Sequence, residues 1–173
     1  RVYGELRRVM PRDAIVALDA GLAPNFGQDR LNYYEPRSLM TSLDLGGLGF
    51  SFPASLGAKF AAPDRPVINF NGDGGFLFNA QEFATAVRYG LKVVTVIMNN
   101  NCWGSEKAYQ RYAFNERYVG ADTNNPRYDK FAELFGGEIF VLQQLDRCRV
   151  SRRSVLPGGN LGLVGHEEVI EVP

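Results

Sequence analysis

Apolar residues gather in three short runs along this chain, and each run ends in a polar or glycine-rich turn. Ala14-Ile15-Val16-Ala17-Leu18 leads into Asp19-Ala20-Gly21, Pro66-Val67-Ile68-Asn69-Phe70-Asn71 into Gly72-Asp73-Gly74-Gly75, and Val93-Val94-Thr95-Val96-Ile97-Met98 into Asn99-Asn100-Asn101. Runs this short and this apolar read as strands buried on both faces. The segments between them have the helical period. Residues 53–62 set Leu56 and Phe60 on one side among the small residues Ala54, Gly57, Ala58 and Ala61, and Pro63 stops the helix. Residues 80–89 repeat the pattern with Phe83, Ala84, Ala86 and Val87 facing inward and Gly90 as the C-terminal stop. A shorter helix is expected over 128–135, where Phe131, Leu134 and Phe135 precede Gly136-Gly137. Strands alternating with helices predict an α/β fold, an open parallel sheet with helices on both faces.

The remaining stretches have weaker patterns. Residues 99–126, rich in Asn and aromatics without a clean period, are expected to form loop plus irregular helix, and long segments of this kind are commonly functional. Beyond Gly137 the character changes: Arg147, Arg149, Arg152 and Arg153 cluster, and 138–168 reads as an atypical tail. The 173 residues suit a single domain, and 19 Lys+Arg against 19 Asp+Glu leave no basic footprint for nucleic acid or an anionic membrane. The longest aliphatic stretch, 93–98, is broken at Thr95 and falls far short of the roughly 20 residues a bilayer span requires. Two cysteines, Cys102 and Cys148, cannot build a disulfide framework, and the absence of a signal-like start makes cytoplasm the expected location. Glycine is in surplus, 19 residues or about 11% against roughly 7% in average usage, so their positions matter.

In an open parallel sheet, ligands bind outside the carboxyl ends of the strands, where all three turns are expected to fall. Gly72-Asp73-Gly74-Gly75 puts one carboxylate among residues that let a ligand approach the backbone, which suits a phosphate cradle with a metal ligand inside it. Asn99-Asn100-Asn101 adds amide oxygens beside it. A hard cation such as Mg²⁺ wants about six oxygens, so a single carboxylate implies that a bound diphosphate completes the shell. A Gly-Asp-Gly alone is commonly just a tight turn. What lifts it above that is an Asn pair 26 and 27 residues after Asp73, across one helix and at the end of the next strand. The segment lacks the Lys-Ser/Thr ending of a nucleotide-phosphate loop and the Gly-x-Gly-x-x-Gly of a dinucleotide fold.

Gly72-Asp73-Gly74 followed by Asn99-Asn100 resembles the signature of the cofactor-binding C-terminal domain of thiamine-diphosphate enzymes of the acetolactate-synthase type. The resemblance runs from about residue 10 to 137. Within it, Pro36-Arg37-Ser38, Ser51-Phe52-Pro53, Gly57-Ala58-Lys59 and Trp103-Gly104-Ser105-Glu106-Lys107 with Asn115, Arg117 and Val119-Gly120 are most similar to sulfoacetaldehyde acetyltransferases. The resemblance implies that Asp73, the Asn100 side chain and the Cys102 main-chain carbonyl bind Mg²⁺, the Cys102 thiol being incidental. It implies that Gly72, Gly74 and Gly75 lie against the diphosphate of thiamine diphosphate. Gly46 would offer its carbonyl to the aminopyrimidine, and Leu48 would hold the cofactor bent. The implied activity is that of a C–C lyase or carboligase acting on a small-molecule substrate, either sulfoacetaldehyde with phosphate or a pair of 2-oxo acids.

Two departures from the family pattern stand out. Leu22-Ala23-Pro24 replaces residues that are often polar in relatives, leaving backbone groups and Asn25 to meet the diphosphate and implying weaker binding. The tail from Glu138 departs too, although Val169-Ile170-Glu171-Val172-Pro173 resembles the closing strand. The family's activating glutamate comes from a separate pyrimidine-binding domain, so no catalytic residue is assigned here. The chain is expected to be a fragment or one subunit of a split enzyme, working in a homodimer or homotetramer. Among single residues, His166 and the cations Lys107, Arg111 and Arg117 are read as surface positions, Glu82 as a structural helix carboxylate, and Trp103 as either pocket wall or packing. The alternative reading of the whole is a non-catalytic remnant or assembly module.

Overall fold

The computed structural model describes residues 2–42 and 44–136; the tail over 138–168, with His166, and the closing strand expected at 169–173 lie outside the described residues. The chain folds as α1 (Val2–Val9), β1 (Ile15–Leu18), α2 (Leu22–Arg30), β2 (Leu39–Thr41), α3 (Ser51–Ala61), β3 (Val67–Gly72), α4 (Asp73–Leu77), α5 (Phe83–Tyr89), β4 (Val94–Met98), α6 (Gly104–Ala113) and α7 (Tyr128–Leu134), with a 3₁₀ turn Ala80–Glu82 leading into α5. The strands form one four-stranded sheet in the order β2-β1-β3-β4. Every pairing is parallel. Chain direction across the sheet reverses between β1 and β3, so the crevice above their carboxyl ends is the natural ligand position of this topology.

The strands bury both faces because alternate side chains serve different cores. Ile15, Val67, Val93 and Ile97 pack on one side with Phe52, Phe76, Phe83 and Tyr128 from the helices. Val16, Leu18, Ile68, Phe70 and Val96 pack on the other side with Val2, Tyr3 and Leu6 of α1. Burying each such side chain contributes roughly 1.5–3 kcal/mol relative to leaving it exposed. The first face is not wholly apolar. Asn69, Asn71 and Thr95 are fully buried on it, and Asn69 donates to Thr95 across the β3–β4 pair. This polar row climbs toward the carboxyl end of the sheet.

Three expectations about the helices need correction. α3 buries Ser51, Phe52, Ser55 and Leu56, all in its N-terminal half. The period linking Leu56 to Phe60 therefore runs past the covered surface, and Phe60 is 72% exposed. The expected helix over 80–89 starts as a 3₁₀ turn, whose three-residue period selects Ala80, Phe83 and Ala86 for burial. Ala84 and Val87 turn outward instead. The stretch 99–126 contains a regular helix, α6, which buries none of its residues. Gly90 does close α5 in the left-handed conformation at φ 61°. Among the described residues, no helix is long and apolar enough to cross a membrane.

Candidate functional site

β3 delivers Asp73 to its place. The strand ends at Gly72, and Asp73 is the first residue of α4, whose Phe76 one turn on is 1% exposed in the aromatic core beside Phe52 and Tyr128. The core thus fixes the short helix, and the helix fixes the carboxylate at its N-terminus, where the backbone dipole favours negative charge. The Tyr128 hydroxyl, itself buried, donates to the Asp73 carbonyl at 3.0 Å. Burial, reinforced by the Asp73 carboxylate, pushes that phenol well above its ordinary range.

β4 delivers the asparagines. Asn101 adopts φ 56°, a left-handed conformation that Asn tolerates better than most side chains. The Asn99 carbonyl oxygen of the side chain accepts from the Asn101 N–H at 3.1 Å, and that of Asn100 from the Cys102 N–H at 3.2 Å. These Asx turns reverse the chain into an antiparallel bridge between Cys102 and Asp122. The Cys102 carbonyl accepts no hydrogen bond from the described residues. Its thiol is raised above its ordinary pKa, mainly by burial, with Lys107 pulling the other way. At neutral pH it stays protonated and is a poor nucleophile.

A cavity of about 590 Å³ opens at this end of the sheet. Gly46, Leu48, Gly72, Asp73, Gly74, Gly75, Asn100 and Cys102 all line it, together with Ala20 and Gly21 from the turn after β1. Residues far apart in sequence and singled out from it therefore share one wall. Pro24, Asn25 and Trp103 also line it. A Cβ on Gly74 would fall 2.8 Å from the Trp103 ring, and one on Gly75 would fall 3.0 Å from Asp19 Oδ1 and 3.6 Å from Leu48 Cδ2. A side chain at Gly74 would have to displace the indole, and one at Gly75 would crowd the Asp19 carboxylate. Trp103 packs edge-on against Phe78 while facing the cavity, so it is at once packing and pocket wall. Lys107 pairs with Asp122 and Arg111 with Glu116 on the surface.

Two residues central to this geometry escape the sequence reading. Asp19 is 0% exposed, and its carboxylate accepts from the backbone N–H groups of Ala20, Gly49 and Ser51 and from the Ser51 hydroxyl. It ties the loop carrying Gly46 and Leu48 to the end of β1. The same Ser51 hydroxyl oxygen lies 2.8 Å from Asn71 Oδ1. Asn125 donates from Nδ2 to Asp73 Oδ2 at 2.6 Å. Asp19 has a sequence signal, because like Asp73 it directly follows an apolar run. Asn125 has only Pro126 beside it, a turn signal with no link to a residue 52 positions earlier.

The residues fit the group that the motif implies. Among the described residues there is no cluster of three or more His, Cys, Asp or Glu side chains that could hold a metal alone. The cavity is lined instead by Asp73, Asn100 and Cys102 beside glycines, residues that offer one carboxylate, one side-chain amide and a main-chain carbonyl with no partner among the described residues, a donor set suited to a hard cation shared with a phosphate-bearing ligand. Fold and site together define an α/β cofactor-binding domain with its pocket at the switch point of a parallel sheet. The chain belongs to the thiamine pyrophosphate enzymes, matching the family's C-terminal TPP binding domain over residues 19–155. It is 32% identical over 146 residues to a sulfoacetaldehyde acetyltransferase of Castellaniella defragrans, covering 84% of this chain and 24% of that protein. It is 36% identical over 137 residues to an acetolactate synthase large subunit of Mycobacterium tuberculosis, covering 79% of this chain and 25% of that protein. The chain thus spans about a quarter of the length of the curated relatives it matches. A thiamine diphosphate-dependent 4-hydroxybenzoylformate decarboxylase of Rhodococcus jostii shares the fold, with a TM-score of 0.84 over 95% of this chain and 31% of its own, at 24% identity.

Proposed function

We propose that this chain is the diphosphate- and Mg²⁺-binding part of a thiamine-diphosphate-dependent C–C lyase or carboligase, of the sulfoacetaldehyde acetyltransferase or acetolactate synthase kind. The observation that carries the reading is the convergence on one cavity of Asp73, Asn100 and Cys102 with Gly74 and Gly75, where an added Cβ would crowd Trp103 and Asp19. Asp73, the Asn100 amide and the Cys102 carbonyl would hold the cation. The glycine backbone after β3 would meet the diphosphate, its first-turn N–H groups having no acceptor within the helix. Gly46, held by its N–H to the Ser42 carbonyl at 2.7 Å, would present its own carbonyl to the aminopyrimidine. Leu48, over Gly75, would be the apolar wedge between the two rings. When bound, thiamine diphosphate supplies a nucleophilic carbon and an electron sink for breaking and making C–C bonds.

The activating carboxylate is assigned to a pyrimidine-binding domain of the same or another chain. An apolar surface is at hand for such a partner: Tyr109 and Tyr112 on α6 and Phe114 just beyond are 70, 82 and 59% exposed. The test is calorimetric titration of the 173-residue chain with thiamine diphosphate in the presence of Mg²⁺. Saturable, Mg²⁺-dependent binding that is lost in Asp73→Ala is the expected result, with no turnover of sulfoacetaldehyde or pyruvate by the chain alone. Absence of binding, or binding indifferent to Asp73→Ala, would instead favour a remnant that keeps the fold without the cofactor.

A further inference from the structure

The amide of Asn125 occupies an unusual place. Its Nδ2 lies 2.6 Å from Asp73 Oδ2, 2.9 Å from Asn99 Oδ1 and 3.2 Å from Asn101 Oδ1. One NH₂ group with two hydrogens thus serves three oxygens, while its own Oδ1 is buried with no partner among the described residues. Flipping the amide would set an oxygen against a carboxylate and two amide oxygens, so the donor orientation is fixed. Thr123 Oγ1 reaches the same Asp73 oxygen at 3.4 Å. Among the described residues, every side-chain hydrogen bond to the Asp73 carboxylate falls on Oδ2, and Oδ1 receives none.

Resting on the cofactor reading above, we infer that Asn125 is a positioning residue that makes Asp73 a one-oxygen ligand and thereby sets the preference of the site for Mg²⁺ over Ca²⁺. The charge-assisted bond to Oδ2 stops the carboxylate from rotating and engages one of its oxygens. Mg²⁺ demands near-octahedral geometry with single-oxygen ligands, whereas Ca²⁺ accepts six to eight oxygens and bidentate carboxylates. A carboxylate with one engaged oxygen therefore serves the smaller ion. Asn125 also joins the turn after β4 to the start of α4, holding the two ligand-bearing segments in register. Partners behind metal ligands commonly change metal affinity by about 10–100-fold when removed.

The experiment titrates the full chain, in the presence of thiamine diphosphate, with Mg²⁺ and separately with Ca²⁺ by calorimetry. In Asn125→Ala the Mg²⁺ affinity is expected to fall about 10–100-fold while Ca²⁺ affinity falls much less, so the ratio of the two drops about tenfold or more. A merely structural role would lower both together. Asn125→Asp preserves size but exchanges the donor for a further oxygen, and the same ratio is expected to drop because Ca²⁺ gains a ligand. It decides the matter if the alanine variant fails to fold. Folded variants, judged by thermal melts without metal, that keep the wild-type Mg²⁺/Ca²⁺ ratio overturn the inference. Asp73→Ala separates the levels: loss of Mg²⁺ binding there with an unchanged ratio at Asn125 defeats only this role, whereas unchanged Mg²⁺ binding in Asp73→Ala defeats the cofactor reading and this role with it.

Discussion

Glycine does two different things in and around this pocket. At Gly49 the backbone sits at φ +79°, where an L side chain is strained, and a Cβ would also lie 2.6 Å from that of Phe78. At Gly74 the backbone is ordinary and only space is short: the Trp103 ring fills the position of a Cβ. Gly74→Ala must therefore push Trp103 outward, at a cost of about 1–3 kcal/mol for overpacking. A lower urea midpoint and a shifted emission of Trp103, the single tryptophan, are the expected readouts. Combining Gly74→Ala with Trp103→Leu is expected to recover most of the loss, since a smaller neighbour frees the space. The sequence marked Gly74 as a residue that must stay bare. That an indole rather than a ligand alone enforces this could not be read from it, because Trp103 lies on another strand's turn.

Among the elements, the loop between β2 and α3 depends on a side chain at the turn just after β1. Asp19 receives N–H bonds from Gly49 and Ser51 and a hydroxyl bond from Ser51, all buried. Removing the acceptor leaves those donors dry, and a buried donor without a partner costs about 1–3 kcal/mol. Asp19→Ala is expected to lower stability by about 3 kcal/mol in denaturant unfolding and to loosen Gly46 and Leu48, weakening thiamine diphosphate binding. Asp19→Asn keeps the shape and is expected to fall between the two. Elements with strong periods or clear punctuation, namely β1, β3, β4, α3 and α7, were legible in the sequence. β2 is only three residues long and half-buried, and α2 contains Pro24 and Gly27, so neither carries a local signal. α2 exists because it lies close on β1, where a Cβ on Gly27 would meet Leu18 at 2.9 Å.

For the molecule as a whole, buried phenols link folding to pH. Burial holds the Tyr3 and Tyr128 hydroxyls well above the ordinary phenol range and pushes Tyr33 up to about 12. In the unfolded chain these groups lose their protons near pH 10, while in the folded chain they keep them. The folded state then binds more protons, so their contribution to stability is complete below about pH 10 and drains away as pH rises through the folded values. The melting temperature is expected to fall steeply above about pH 10, and the share of the tyrosinate absorbance that belongs to these three phenols to rise in step with unfolding. Tyr3→Phe, which removes one such proton, is expected to flatten that fall. A melting temperature unchanged from neutral to strongly alkaline pH would contradict the linkage.

What the sequence determined by itself is what local physics can encode. Alternating apolar runs gave a parallel α/β sheet, turns after strands gave the position of the pocket, and the spacing of Asp73 and Asn100 gave the residues that meet there. Only the tertiary structure decided what sits behind them. Asp19 and Asn125 act on partners 30 to 52 positions away, and nothing in a local pattern records which distant donor a carboxylate will find. The same holds for Phe60 and Val87, apolar yet exposed. Burial is decided by what packs against a helix, and periodicity describes only the helix itself.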